Sequence, residues 1–198
     1  MDEATVRTYN QKAKEYTEET DGFWQRFPSN FPKEFIKLVK GKVLDMGSGP
    51  GRDAKIFTDG GLEVTCFDAS ESMVAISKAK GFNSVVGNFL NLPFDDNSFD
   101  GVWSYTSLLH IHKTEIKDAL KEVKRVLKTG GIFGLGLIEG EGEETRKSMG
   151  EEFPRLFTYF TEDEVRTIAN ELGFKEIYFE KHSVKKTTSN LHFLFRNS

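Results

Sequence analysis

The run VLDMGSGPGRD, from Val43 to Asp53, places glycines at alternate positions just behind an acid. Gly47, Gly49 and Gly51 permit positive φ and leave no side chain where a ligand must approach the backbone. Amides at the start of a following helix favour negative ligand groups. A dinucleotide fingerprint, G-x-G-x-x-G, needs its third glycine three residues after the second, and Arg52 stands there. Asp45 would also set a carboxylate close to a pyrophosphate. Asp68 ends the next apolar run, LEVTCFD, and suits the hydroxyls of a ribose, so it does not choose between nucleotide-bearing ligands.

Other residues able to do chemistry are few. His110 and His112 in SLLHIHK titrate near neutrality. His112 reads as a solvent-facing residue at a helix start. His110, and Tyr105 ahead of it, read as candidates to contact a substrate. Cys66 lies inside a strand-like run and reads as a small buried hydrophobe. A single cysteine forms neither an intrachain disulfide nor a cysteine-based zinc site. No metal site is expected. Tyr9 and Tyr16 lie two helical turns apart and share a face, which suits either core packing or ligand contact.

The elements that must position these residues alternate. An opening helix is expected from about Ala4 to Glu19, then an aromatic loop from Gly22 to Pro32 and a short helix over Lys33–Lys40. Strands are expected at Lys42–Met46, Leu62–Asp68, Asn83–Gly87, Phe99–Thr106 and from Ile132. Helices fall between them at Arg52–Gly61, after Ser70 as N-cap, and at Lys113–Gly131, where a glycine pair is expected to stop the helix. Strands alternating with helices imply right-handed crossovers and a parallel, doubly wound sheet. A last helix, Thr161–Gly173, precedes two strand-like runs, Lys175–His182 and Asn190–Asn197, which are close enough to pair as a hairpin.

The chain has 198 residues, 37% hydrophobic and 29% charged, which suits one domain with a sizeable core. The formal charge of −4 argues against a protein that coats nucleic acid through a basic surface. The polar opening and the lack of a long apolar run predict neither signal peptide nor membrane span, and a cytoplasmic location.

The D-x-G-x-G-x-G loop, the acid ending the second strand and the terminal hairpin resemble the class I S-adenosylmethionine-dependent methyltransferases. TVRTYNQKAKEY is similar to the Y-N-x-x-A-x-x-Y opening of small single-domain members. GNFLNLPFDDNSFDGVWS is similar to the G-D-x-x-x-L-P-F-x-x-x-S-F-D stretch. VKRVLKTGGIF is similar to R-V-L-K-P-G-G, with Thr129 in place of Pro. The resemblance implies a Rossmann-like sheet of seven strands in the order 3-2-1-4-5-7-6, strand 7 antiparallel, with helices on both faces.

It also implies roles. Asp45, Gly47, Gly49 and Gly51 would frame the methionine part of S-adenosylmethionine, and Asp68 would hold its ribose. Ala69, Met73 and Phe89 would lie near the adenine, with Asn88 where the family usually has Asp. Tyr105 would border the sulfonium, Tyr9 and Tyr16 would face the cofactor from the first helix, and Arg52 would orient the cofactor's charged end unless it pairs with Asp53. The whole chain, 1–198, is then one domain: a helical cap (1–40), a cofactor core (41–138), a lid or substrate loop (139–160) and a terminal helix and hairpin (161–198). No dedicated base is conspicuous.

Acceptor choice falls to the opening residues and to Glu139–Phe160, whose six glutamates suit either a solvated loop or a cation-attracting one. The aromatics of FPRLFTYF are expected to close the pocket. A small-molecule acceptor is the expectation. The alternatives are a wobble-uridine-type tRNA substrate, since those methyltransferases share the opening motif and an L-L-H-I segment, and a cofactor-binding module without turnover.

Overall fold

The computed structural model describes residues 2–185 and 188–198. Seven strands form one sheet in the order β3-β2-β1-β4-β5-β9-β8: β1 Lys42–Met46, β2 Glu63–Asp68, β3 Asn83–Val86, β4 Phe99–Tyr105, β5 Leu127–Ile138, β8 Phe174–Lys185 and β9 Thr188–Asn197. β1 to β5 run parallel, and β9 is antiparallel to both β5 and β8. The expected order and the antiparallel terminal strand are both present. The polar turn expected within the hairpin centres on 186–187, outside the described residues.

Strand alternation sorts the core into two layers. Leu44 and Met46 of β1 join Phe67, Phe133 and Phe195 on one face. Val43 joins Cys66, Trp103, Tyr105 and Leu194 on the other. The first face is covered by α6 (Ile116–Val126) and α7 (Glu162–Glu171), the second by α3 (Phe31–Leu38) and α4 (Arg52–Asp59). On that second face β5 carries glycine: a Cβ on Gly136 would stand 2.4 Å from the Tyr105 ring. This lets Tyr105 lie flat against the sheet at the ligand end of β4.

Four local expectations change. The helix expected over Lys113–Gly131 is a short 3-10 turn followed by α6, and it ends at Val126. Its last carbonyls are met by the amides of Asn97 and Ser98, at 2.9 Å each, so no glycine cap is needed. Leu127 turns extended and pairs with Phe99, which places Gly130 and Gly131 inside β5. The helix expected from Lys33 starts at Phe31, because Pro32 is well tolerated in a first turn. The aromatic loop contains a single helical turn, α2 (Phe23–Arg26). The expected lid loop is folded into an antiparallel pair, β6 (Glu143–Arg146) and β7 (Arg155–Thr158). Its glutamates are mostly paired: Glu143 with His112, Glu144 with Arg146 and Tyr159, Glu151 with Lys147, Glu139 with Lys181.

Candidate active site

A cavity of about 650 Å³, counted to its open mouth, lies between the β1–α4 turn and the opening helix α1 (Glu3–Thr20). In the turn Gly47, Gly49 and Gly51 have φ of 77°, 53° and 79°. The amides of Gly47 and Ser48 donate to the Phe67 carbonyl at 2.7 and 3.1 Å, tying the loop to the end of β2. Asp68 is thereby brought beside it. Its carboxylate accepts from the Gly49 amide at 2.8 Å and from the Ser70 amide at 2.9 Å. Burial pushes this carboxyl above its usual range, against those hydrogen bonds. Each oxygen keeps a lone pair for a ligand hydroxyl. Ala69, Met73 and Phe89 continue the wall.

The roof is α1. Thr5, Tyr9, Tyr16 and Thr20 face the cavity. The two threonines extend the tyrosine stripe at spacings of four, a signal that the sequence carries. No described α1 residue joins either apolar cluster. The helix is docked by polar contacts instead. Asn10 Oδ1 accepts from Ser70 Oγ (2.8 Å) and the Ser72 amide (3.1 Å), and Thr8 Oγ1 donates to the Pro154 carbonyl at 2.8 Å. The Asn of the Y-N-x-x-A-x-x-Y motif is therefore a clamp onto the next cofactor-side helix, a role that no spacing argument assigned to it.

Arg52 lines the cavity, and its guanidinium is held by Asp53 (Nε to Oδ1 2.7 Å, Nη2 to Oδ2 3.0 Å). The same carboxylate accepts the indole N–H groups of Trp24 (2.8 Å) and Trp103 (2.9 Å). Burial alone would raise the Asp53 carboxyl, but the Arg52 charge and these donors hold it below its ordinary value. The guanidinium also lies 4.7 Å from the centre of the Phe23 ring. The helix-start pair is thus formed, and it fastens the aromatic loop to the site.

Tyr105 lines the cavity, and its hydroxyl accepts from Asn190 Nδ2 at 2.9 Å. His110 also lines it, but both ring nitrogens are used. Nδ1 is 2.6 Å from the Leu156 carbonyl, which can only accept, so Nδ1 carries the proton. Nε2 then accepts from the Tyr9 hydroxyl at 2.8 Å, and Tyr9 accepts from Arg155 at 2.9 Å. Burial pushes the His110 pKa down to about 4, helped by the nearby Arg155 charge. A neutral, capped imidazole is poorly placed to remove a substrate proton.

That burial has a consequence for stability. Because the folded pKa lies below the ordinary 6.5, the unfolded chain binds more protons in between. His110 therefore costs nothing above about pH 6.5, and stability is lost as pH falls toward 4, by up to roughly 3 kcal/mol. Urea denaturation of His110→Gln at pH 7 and pH 4.5 is expected to show a smaller acid loss than the parent; an equal loss would show that His110 is not held neutral.

Three expected residues are not on the wall. Asp45 is buried behind the loop, and its Oδ2 has no partner. Burial and the neighbouring Asp53 push its carboxyl well above the usual range. Gly51 caps α4 and packs against Phe82. Asn88 is exposed, with Oδ1 taken by the Leu90 amide at 3.0 Å, because the chain turns there in a local Asx-type bend. His112 is exposed and bonded to Glu143, as a helix-start residue.

The family described as methyltransferase domain matches residues 44–135. An uncharacterised protein of Methanocaldococcus jannaschii is 30% identical over 82% of this chain and 80% of its own length. The chain belongs to the class I S-adenosylmethionine-dependent methyltransferases. The cofactor of that family is S-adenosylmethionine. Demethylmenaquinone methyltransferase of Corynebacterium glutamicum is 38% identical over 46% of this methyltransferase and 38% of its own length. The chain spans between 27% and 46% of the relatives whose names state an acceptor. The solved 1,6-didemethyltoxoflavin-N1-methyltransferase of Burkholderia thailandensis, with bound 1,6-didemethyltoxoflavin and S-adenosylhomocysteine, has the same fold (TM-score 0.71, 21% identity, 98% of this chain and 88% of that one). No described helix is long and apolar enough to cross a membrane.

Proposed function

We propose that this methyltransferase, acting as one domain over residues 1–198, transfers a methyl group to a small-molecule acceptor in the α1-roofed cavity. The observation that carries the reading is the enclosure: α1 roofs the cavity and is tied to Pro154 and β7 through Thr8, Thr5 and Tyr9, which suits a small partner beside a cofactor. The cofactor supplies a methyl group on a sulfonium, a good leaving group. Asp68 would hold the ribose, Tyr16 and the Gly47–Gly51 loop the methionine part, and Ala69, Met73 and Phe89 the adenine. The protein's own contribution is alignment and exclusion of water. Relatives named for sterol, squalene and demethylmenaquinone methylation support a small acceptor.

Calorimetry should show binding of S-adenosylmethionine and S-adenosylhomocysteine and none of NADH; the reverse would overturn the reading. An acceptor panel containing small alcohols, phenols, amines and bulk tRNA, scored by S-adenosylhomocysteine release, should respond to small molecules. A response to tRNA alone would establish the RNA alternative, and cofactor binding without any turnover would favour a binding module.

A further inference from the structure

Among the described residues, two other than glycine have φ in the left-handed region, Asn97 at 54° and Thr106 at 52°. Asparagine tolerates that region. Asn97 sits in an exposed turn, where its amide meets the Arg125 carbonyl of α6 at 2.9 Å. Threonine does not tolerate it: the branched Cβ crowds the backbone, so the conformation at Thr106 is strained. Glycine would make the same turn at less cost. The turn alone therefore gives no reason for a threonine here.

The strain is imposed from both sides. The Thr106 amide donates to the Gly136 carbonyl at 2.8 Å, which keeps the chain on β5. Before it, the Tyr105 hydroxyl is fixed by Asn190 at 2.9 Å. After it, the Ser107 hydroxyl donates to the Met46 carbonyl at 2.7 Å and is met by Ser104 Oγ at 2.7 Å. Backbone strain survives only where the surroundings over-determine it, and it gathers at functional sites. Here it falls on a residue that lines the cavity. Ser107 stands against Gly47 of the glycine loop, where an added Cβ would meet its Cβ at 2.1 Å. Tyr105 lies toward the aromatic loop, its ring centre 4.6 Å from that of Trp24. Thr106 is thus between the loop and the aromatic residues. Its hydroxyl bonds to no described residue, unlike those of Tyr105 and Ser107.

We propose that Thr106 stands at the point of methyl transfer, where its uncommitted hydroxyl oxygen accepts a hydrogen bond from the O–H or N–H group that will carry the methyl. The inference rests on the reading that the Gly47–Gly51 loop holds the methionine part of the cofactor and Asp68 its ribose, since the sulfur joins those two parts. Transfer breaks the sulfur–methyl bond and leaves its electron pair on sulfur, while a lone pair of the acceptor atom forms the new bond to carbon. The acceptor's proton passes to water, because a neutral hydroxyl is too weak a base to keep it. The part that Thr106 plays is aim: its hydrogen bond fixes the direction of the acceptor atom. The strained backbone is what sets the hydroxyl there.

Sinefungin, in which an amine-bearing carbon replaces the methylsulfonium, puts an N–H donor at that point, and S-adenosylhomocysteine puts none. Calorimetry on the full chain at pH 7 should show sinefungin bound roughly tenfold tighter, the worth of one hydrogen bond from a charged donor. Thr106→Val keeps the branched Cβ and removes the hydroxyl, so it should abolish that preference, and Thr106→Ser should retain most of it. Thr106→Gly removes both hydroxyl and strain, so it should lose the preference while Tm rises by about 2–4 °C. A parent protein that binds the two ligands equally, or a preference that Thr106→Val leaves unmoved, would overturn the inference. An unchanged or lower Tm for Thr106→Gly would mean that Thr106 is unstrained and would overturn it as well. If neither ligand binds the parent, the methyltransferase reading of the site falls; if both bind and Thr106→Val leaves their ratio as it was, this inference falls alone.

Discussion

Asp53→Ala is expected to destabilise the fold by about 3–5 kcal/mol, the cost of leaving one member of a buried ion pair uncompensated. Asp53 is 4% exposed and accepts four hydrogen bonds, two from Arg52 and one each from Trp24 and Trp103. Truncation leaves a guanidinium and two indole N–H groups without an acceptor in a site that water enters poorly. Phe23 packs on Arg52 and Trp24 on Tyr105, and both of those partners line the cavity, so cofactor affinity should fall as well. Asp53→Asn keeps an acceptor for an indole and loses the charge, so it should fall between parent and alanine variant. Urea denaturation reads the stability and calorimetry the affinity. A loss under about 1 kcal/mol, the usual worth of an exposed pair, would mean that the cluster is not buried as the structure has it.

Gly47→Ala is expected to abolish cofactor binding. A Cβ there would stand 2.1 Å from Ser107 Cβ, 2.5 Å from its Oγ and 3.2 Å from the Phe89 ring. Ser107 cannot swing aside without breaking its bonds to Met46 and Ser104. At φ 77° the alanine also carries a left-handed backbone penalty of about 1–2 kcal/mol. Overpacking adds about 1–3 kcal/mol. Gly61→Ala separates the two effects, since Gly61 has φ 85° and nothing within 4 Å of its added Cβ. That control should lose only the backbone part and keep S-adenosylhomocysteine binding. Equal behaviour of the two variants in calorimetry and denaturation would refute the crowding argument.

The two substitutions mark different depths of legibility. Gly47 is readable in the chain, because alternate glycines between a strand and a helix have few other uses and because the ordered motifs around them agree. Asp53 was readable only as half of a choice between a ligand contact and a pair with Arg52. Its indole partners come from positions 29 residues earlier and 50 later, a convergence that no local pattern encodes. The helix ending at Val126 shows the same limit. Apolar spacing continues through Leu127, but the amides of Asn97 and Ser98 cap the helix from outside, and Leu127 joins the sheet. The lid residues held strand pairing that composition concealed, since a hairpin rich in charge lacks the apolar alternation of a core strand.

By itself the sequence determined the alternation of strands and helices, the glycine loop, the acid ending β2 and the face of α1 that carries Tyr9 and Tyr16, because periodicity and turn chemistry act over a few residues; the sheet order was implied by the family resemblance. Only the tertiary structure decided which atoms face the cavity. It turned Asp45 and Asn88 away from the wall, bound Arg52 to Asp53, and consumed both nitrogens of His110. Those outcomes depend on hydrogen-bond partners distant in the chain, and a buried polar atom takes whichever partner the packing delivers.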